Sequence, residues 1–424
     1  MSLWSGLVAI AGKCVAFVAW HGEIYGVGIT QLGIEFAYPM NDIASIDDFL
    51  AKSLRTVRAG NLAPWKMDGS VNWETVWNRI EYHGIAFLLN AQANRLTTWP
   101  EGLMERMAEE ARLIALWETT HHHCVSKVLD GLSKTGVEAT VMKGTALAYS
   151  LHEEPATRRR GDTDLLVQPK DQERTRAVLQ KLGWYRKDDP HGLYYQEGWL
   201  HDAAGFFVHS IDLHWEPSDR PVLQSILPLS EFFDDRRPVP KLHPAAYRPH
   251  PALMILHATI NQKWHALHGY HSESGRLTSP RRLIWSVDLD LLCQSMADTD
   301  WQKLEAHCDA HGVGALVAEA LRGMQIDLGN RVPEASLAKF EERPLDPTIA
   351  AYFANPDSLS QFWIDVKKAR SLRQKASLVI TRAFPPRAHL VEKYPASAKW
   401  PTAFLQGRLL IETAGRVVRK VGSR

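Results

Sequence analysis

Between Val137 and Trp215 the hydrophobic period changes. On either side of this window apolar residues recur every three or four positions, as on helices with one buried stripe. Inside it they form short apolar runs and two-residue alternation, the pattern of strands. Such a small strand set needs helices to cover it. The expected fold class is therefore α+β: a small mixed β-sheet core flanked by N- and C-terminal helical segments. The strands are expected at Val137–Met142, Asp162–Val167, Trp184–Arg186, Tyr194–Gln196 and Phe206–Trp215. Before them, Trp73, Val76, Trp77 and Ile80 open one helix, and a longer one runs from Glu101 to Lys134, with Gly136 as its stop. Between the strands lie a short helix at Thr145–Leu151 and a capped one from Pro169 to Leu182. After them come helices at Pro251–Trp264, Arg281–Met296, Trp301–His311 and Val313–Gly323, then Leu359–Thr381 and Ala398–Val421. The segments are a leader 1–70, helices 71–135, the sheet core 136–240, a helical domain 241–345 and a basic helical tail 346–424.

With 45% hydrophobic and 23% charged residues in 424, the chain is neither disordered, rod-like nor collagenous. Basic and acidic side chains number 49 and 48, but they are segregated. From Ile364 onward there are fourteen Lys or Arg against three Asp or Glu. That tail either docks on the acidic remainder of the chain or gathers an anionic partner. The four cysteines form no CxxC, which argues against a structural zinc site and for a reducing compartment. The longest apolar run, Leu7–Trp20, is shorter than the ~20 residues that span a bilayer. No basic residue of a signal peptide precedes it. The expectation is a cytoplasmic protein with no transmembrane segment. The first fifty residues stay open between a β hairpin, a disordered leader and a mis-assigned start.

The chemistry gathers around Asp162-Thr163-Asp164-Leu165-Leu166-Val167. Two residues apart on a strand, Asp162 and Asp164 share one face, about 7 Å apart along the backbone. Asp212, in His209-Ser210-Ile211-Asp212-Leu213-His214, is a charge in an alternating apolar strand. If that strand pairs beside the first, three carboxylates converge, enough for two divalent ions such as Mg²⁺. Upstream, Gly144-Thr145 lies between a strand and a helix, where backbone amides can approach phosphate. Lys143 and the run Arg158-Arg159-Arg160 are candidate cations for a triphosphate, with a solvated loop as the plainer reading of the arginines.

Lys-Gly, a short helix, an Arg, Asp-x-Asp-Leu-Leu-Val and Asp-Leu-His-Trp together resemble the uncharacterised nucleotidyltransferase family of the DNA polymerase β-like superfamily. The resemblance runs from Asn72 to Pro333 and includes His257 and the stretch Ile284-Trp285-Ser286-Val287-Asp288-Leu289. It departs from the wider superfamily at Thr145, where Ser is usual. It implies a polymerase β-like core, with Asp162, Asp164 and Asp212 as catalytic metal ligands. It places nucleotide at Lys143, Gly144, Thr145, Arg158 and Gly161. The implied activity is Mg²⁺-dependent transfer of a nucleoside monophosphate from an NTP (the substrate) to a hydroxyl or phosphate. The acceptor would be an anionic peptide or small molecule, and no specific DNA binding is expected. The alternatives are a toxin-like or regulatory enzyme that modifies a protein or tRNA, and a nucleotide-binding module without turnover.

Other residues carry two readings. His214 shares the face of Asp212, as a metal-site neighbour or a packed histidine. His257 and Asp288 are either catalytic or helix-packing partners. His121-His122-His123 point in different directions on a helix, which favours packing over metal. The tryptophans at 73, 77, 117, 264, 285, 301 and 363 read mostly as core.

Overall fold

The computed structural model describes residues 40–69, 71–187, 195–203, 207–272, 275–277, 281–329, 332–354 and 358–422. The expectations for residues 1–39 lie outside these, as do Tyr194 and Phe206, where two strands were expected to begin. Part of the expected leader is a helix, α1 (Met40–Arg58). Ile46, Leu50, Leu54 and Val57 recur at helical spacing and are fully buried in the main core. Asp47 ties α1 to α2 (Trp73–His83) by accepting from Arg79 Nε and Nη2 at 2.8 Å and meeting His83 Nε2 at 2.8 Å. The ends of α2 follow from local chemistry. Asn72 caps the first turn by accepting the Glu74 N–H at 3.0 Å, and Gly84 stops the helix at φ +69°.

Helix α3 (Glu101–Lys134) is the long helix of the periodicity, and Gly136 follows it in the left-handed region at φ +69°. The sheet comprises β1 (Ala139–Val141), β2 (Asp162–Val167), β3 (Tyr185–Arg186), β4 (Gln196–Ala203) and β5 (Phe207–His214). Their spatial order is β1-β2-β5-β4-β3. Only β2 and β5 run parallel; the other neighbours are antiparallel. Helix α4 (Lys143–Leu151) follows β1 directly, and α5 (Gln172–Lys181) follows β2.

Helices α6 (Pro251–His268), α7 (Leu283–Ser295), α8 (Asp298–His311) and α9 (Gly314–Leu328) complete the body around one continuous apolar core. Two further helices, α10 (Glu334–Glu342) and α11 (Pro347–Ala354), have no counterpart in the sequence reading. The helix expected over 359–381 is two, α12 (Ser358–Lys368) and α13 (Leu372–Ala383). Ser371 makes the break by capping α13, its Oγ accepting the Gln374 N–H at 3.1 Å. Beyond lie α14 (Arg387–Lys393) and α15 (Thr402–Gly422). Leu390, Tyr394, Leu405 and Leu409 bury one another in a small cluster separate from the main core. No helix among the described residues is long and apolar enough to cross a membrane.

Asp365 anchors α12 to the body. Its carboxylate accepts the Val222 N–H at 3.2 Å and the Tyr352 hydroxyl at 3.1 Å. Burial, only partly offset by Arg220, pushes its pKa up to about 6. The folded state therefore holds this proton more tightly than the unfolded chain. Its contribution is fully present below the unfolded carboxylate pKa near ~3.8 and is lost as pH rises through about 6. Wild-type protein is expected to lose on the order of 2 kcal/mol relative to Asp365→Asn between those limits. Urea midpoints of both proteins at pH 4 and pH 7 measure this; parallel pH profiles would rule it out.

Candidate active site

Strand β2 turns Asp162, Asp164 and Leu166 to one face and Thr163, Leu165 and Val167 to the other. The parallel register of β2 with β5 sets Asp164 directly beside Asp212 and Leu166 beside His214. His214 Nε2 lies 2.9 Å from Asp164 Oδ1, and Lys143 Nζ donates to the same oxygen at 2.5 Å. One ligand atom each from Asp164, Asp212 and His214 lie within 4.8 Å of one another. Asp162 stands one pleat earlier on this face, half-buried and opposite Ser210. On the far side of β5, Gly198 pairs with Asp212. The Lys187 side chain packs over Gly198, and its charge also bears on Asp212.

The electrostatics separate the acids. Burial, then the negative charges of Asp164 and Asp212, push Asp162 up to about 8. Asp212 is also raised, by burial and by Asp164. Burial works against Asp164 too, but Lys143 and His214 outweigh it and hold this carboxylate well below its ordinary range. Lys143 is held above its own, because Asp164 overrides its desolvation. Its backbone is unusual, with φ +46°, one of two non-glycine residues with positive φ among those described. A conformation that disfavours a side chain, held at a strand–helix junction, aims the ammonium at the acids.

The opposite face of β2 is braced by a polar network. Thr163 Oγ1 meets His121 Nε2 at 2.8 Å and Thr145 Oγ1 at 2.9 Å. Thr145 Oγ1 also donates to the Asp162 carbonyl at 3.1 Å and accepts from Arg160 Nε at 3.0 Å. Arg160 in turn pairs with Glu118 at 2.7 Å, and Tyr149 donates to Glu118. The Thr145 hydroxyl, one of the groups expected at nucleotide, is thus spent on supporting the strand. His121 is a packing residue, buried and stacked on Trp117.

The three arginines are not a solvated loop. Arg158 donates to both oxygens of Asp288 at 2.7 Å, Arg159 pairs with Glu110 at 2.8 Å, and Arg160 with Glu118. All three are buried. Asp288 is thereby a helix-docking partner on α7. Gly161 lies in the bend that leads into β2, and Gly144 in the first turn of α4. Beside Lys143 and Gly144 opens a small cleft, with an enclosed volume of about 50 Å³, between α4, α6 and α7. Arg158, His257, Gln262 and Trp285 line it further. Burial, then Lys143, depress His257 to about 3, so its imidazole is neutral at physiological pH.

The family model for uncharacterised nucleotidyltransferases matches residues 69–328. The chain belongs to this family. The matched segment holds Lys143, Asp162, Asp164, Asp212 and every cleft residue named above, while α10 to α15 lie beyond it. No curated protein matches the chain. In this family member, Asn261, Gln262 and Trp285 line the cleft but were not singled out by sequence as site residues. Two polar residues on a helix read as its solvent face, and a tryptophan on an apolar stripe reads as core. The sequence signal for Asn261 and Gln262 was the Pro-initiated helix that follows the third acid, and for Trp285 the Ile284–Leu289 stretch of the family resemblance.

Proposed function

We propose that this family member transfers a nucleoside monophosphate from an NTP to a hydroxyl or phosphate oxygen of an acceptor. The observation that carries the reading is the convergence of Asp164, Asp212 and His214 on one another and on Lys143, a residue that also lines a neighbouring cleft. The acceptor oxygen bonds to the α-phosphorus, the bond to the pyrophosphate oxygen breaks, and pyrophosphate leaves with the electron pair.

The donor set suits Mg²⁺, which takes carboxylate oxygens and keeps room for substrate phosphate. Asp162, Asp164 and Asp212 are the residues that would hold it, two ions being the number three acids can support. Burial first, and repulsion between neighbours second, raise two of the three acids, and a bound cation would relieve both. Bound Mg²⁺ supplies positive charge against the triphosphate and the developing negative charge of the transition state. Lys143 serves the phosphates, leaving Asp164 for them as substrate enters. The N-terminus of α4 at Gly144 and Thr145 presents backbone amides toward the same place. Asp212, already raised, takes the proton of an acceptor hydroxyl. Arg158, bound to Asp288, shapes the cleft wall rather than reaching for phosphate.

Purified protein, Mg²⁺ and each NTP in turn, with and without cell extract, are assayed for pyrophosphate and for label on a macromolecule or small molecule. Pyrophosphate that requires Mg²⁺ and extract supports the reading, and the labelled product identifies the acceptor class. Label on tRNA or on a protein would favour a modifying enzyme. NTP binding without pyrophosphate under any condition would leave a binding module.

The tail suggests that the acceptor is anionic, a peptide or small molecule. Arg387 and Arg408 bond within the tail, to the Ala398 carbonyl at 2.8 Å and to Glu412 at 3.1 Å, rather than to the body. Because α14 and α15 pack on their own cluster, ending the chain after Ala383 is expected to spare NTP binding. It should raise the acceptor KM and abolish its salt dependence, since exposed attraction is screened over a Debye length of about 8 Å in physiological salt. An unchanged KM and salt slope in the shortened protein would exclude recruitment by the tail.

A further inference from the structure

A second cluster of ligating groups lies away from the acids. His307 and His311 are four residues apart on α8, one helical turn, so their rings share a face. Their planes are 15° from parallel, with centroids 6.2 Å apart. Facing them is Glu231, in the helical turn Glu231–Asp234 that follows the sheet. One ligand atom from each of the three lies within 4.8 Å of the others. Glu231 Oε2 and His307 Nε2 are 3.0 Å apart, yet they are not aligned as a hydrogen bond. Oε2 is shielded from solvent and has no hydrogen-bond partner. Two imidazoles and a carboxylate whose ligand atoms lie this close can converge on one electron-poor atom between them.

We propose that His307, His311 and Glu231 form a binding site for a zinc-class divalent cation, distinct from the nucleotidyl-transfer site. Two imidazole nitrogens and one carboxylate oxygen suit Zn²⁺, whereas Mg²⁺ takes oxygen ligands. A fourth position is left for water. Cys308, next in the chain, is no ligand, because its side chain is buried in the core. The signal is therefore histidine spacing, not the cysteine spacing that argues against a zinc site. The cation would join the 231–235 turn to α8. One polar link already spans that seam, from Lys303 to Asp235 at 2.8 Å, and His250 stands between the two sides, 3.7 Å from Asp235 and 2.9 Å from Asp300. Its role is a clamp between the sheet's following segment and the helical body.

Full-length protein, stripped with a chelator, is titrated with Zn²⁺ against a chromophoric competitor. The same titration is run on Asp164→Asn/Asp212→Asn, in which the first site is disabled, and on His307→Ala and His311→Ala. At least one Zn²⁺ per chain is expected in wild type, and one in the double Asp variant, where the first site no longer competes. In each His variant its affinity should fall by more than the ~10–100-fold that loss of a mere outer partner costs. Zinc should also raise the melting temperature of wild type and not of the His variants. Should those variants fail to fold, Co²⁺ added to the double Asp variant decides: visible ligand-field bands of a tetrahedral site support the assignment, and their absence overturns it. Zinc retained in full by the folded His variants, or lost in the double Asp variant, overturns it equally.

Discussion

Asp164→Asn is expected to lower nucleotidyl transfer by a factor on the order of 10²–10⁴, the scale on which enzymes lose rate with one electrostatic group at the reacting centre. Asn keeps the shape, and the strand that carries it is braced from its other face by Thr163, Thr145 and His121. What changes is charge. Asp164 is the acid held ionised, by Lys143 and His214, beside two acids whose pKa values are raised. Its loss removes the anion most ready for a cation and frees Lys143 from its tether. The effect should therefore appear in turnover and in the Mg²⁺ concentration for half-maximal rate. NTP binding, measured by a fluorescent analogue, should change less than turnover. Turnover near wild type in folded Asp164→Asn would remove the metal assignment.

Asp288→Ala is expected to destabilise the fold by about 3–5 kcal/mol, the usual cost of stripping the partner from a buried charge. Arg158 and Asp288 share two hydrogen bonds of 2.7 Å, and both side chains are buried. Without the carboxylate, the guanidinium is left inside with one anion fewer. Urea unfolding at constant m-value reads this directly. The same variant separates two roles for Arg158. As a strut it fails with its partner, and neither change favours nucleotide. As a phosphate ligand it would be released, and NTP affinity would rise. Unchanged stability together with tighter NTP binding would return Arg158 to the nucleotide site.

Much of this architecture was legible in local patterns. The switch of period at Val137 marks where the sheet begins, and Gly136 marks the end of the long helix, because glycine is the residue that readily takes that backbone position. The period of two was enough to put Asp162 and Asp164 on one face. Residue order also carried α1 in the spacing of Ile46, Leu50 and Leu54, although its neighbourhood read as a leader.

Pairing across distance was another matter. That β5 lies beside β2, parallel and in the register that sets Asp212 against Asp164, is decided by sheet topology, since the same two strands one residue out of step would face apart. The fates of Lys143 and of the three arginines differ for a similar reason. All four are basic residues near one acidic doublet. Only folding delivers Glu110 and Glu118 from α3 and Asp288 from α7 to neutralise the arginines, leaving Lys143 to meet Asp164. A buried charge finds its partner in space, often more than a hundred residues away, as Arg158 and Asp288 are. Sequence alone determined which chemistry was available and on which strands it sat. Tertiary structure decided which of those charges gather around the acidic doublet and which hold the walls together.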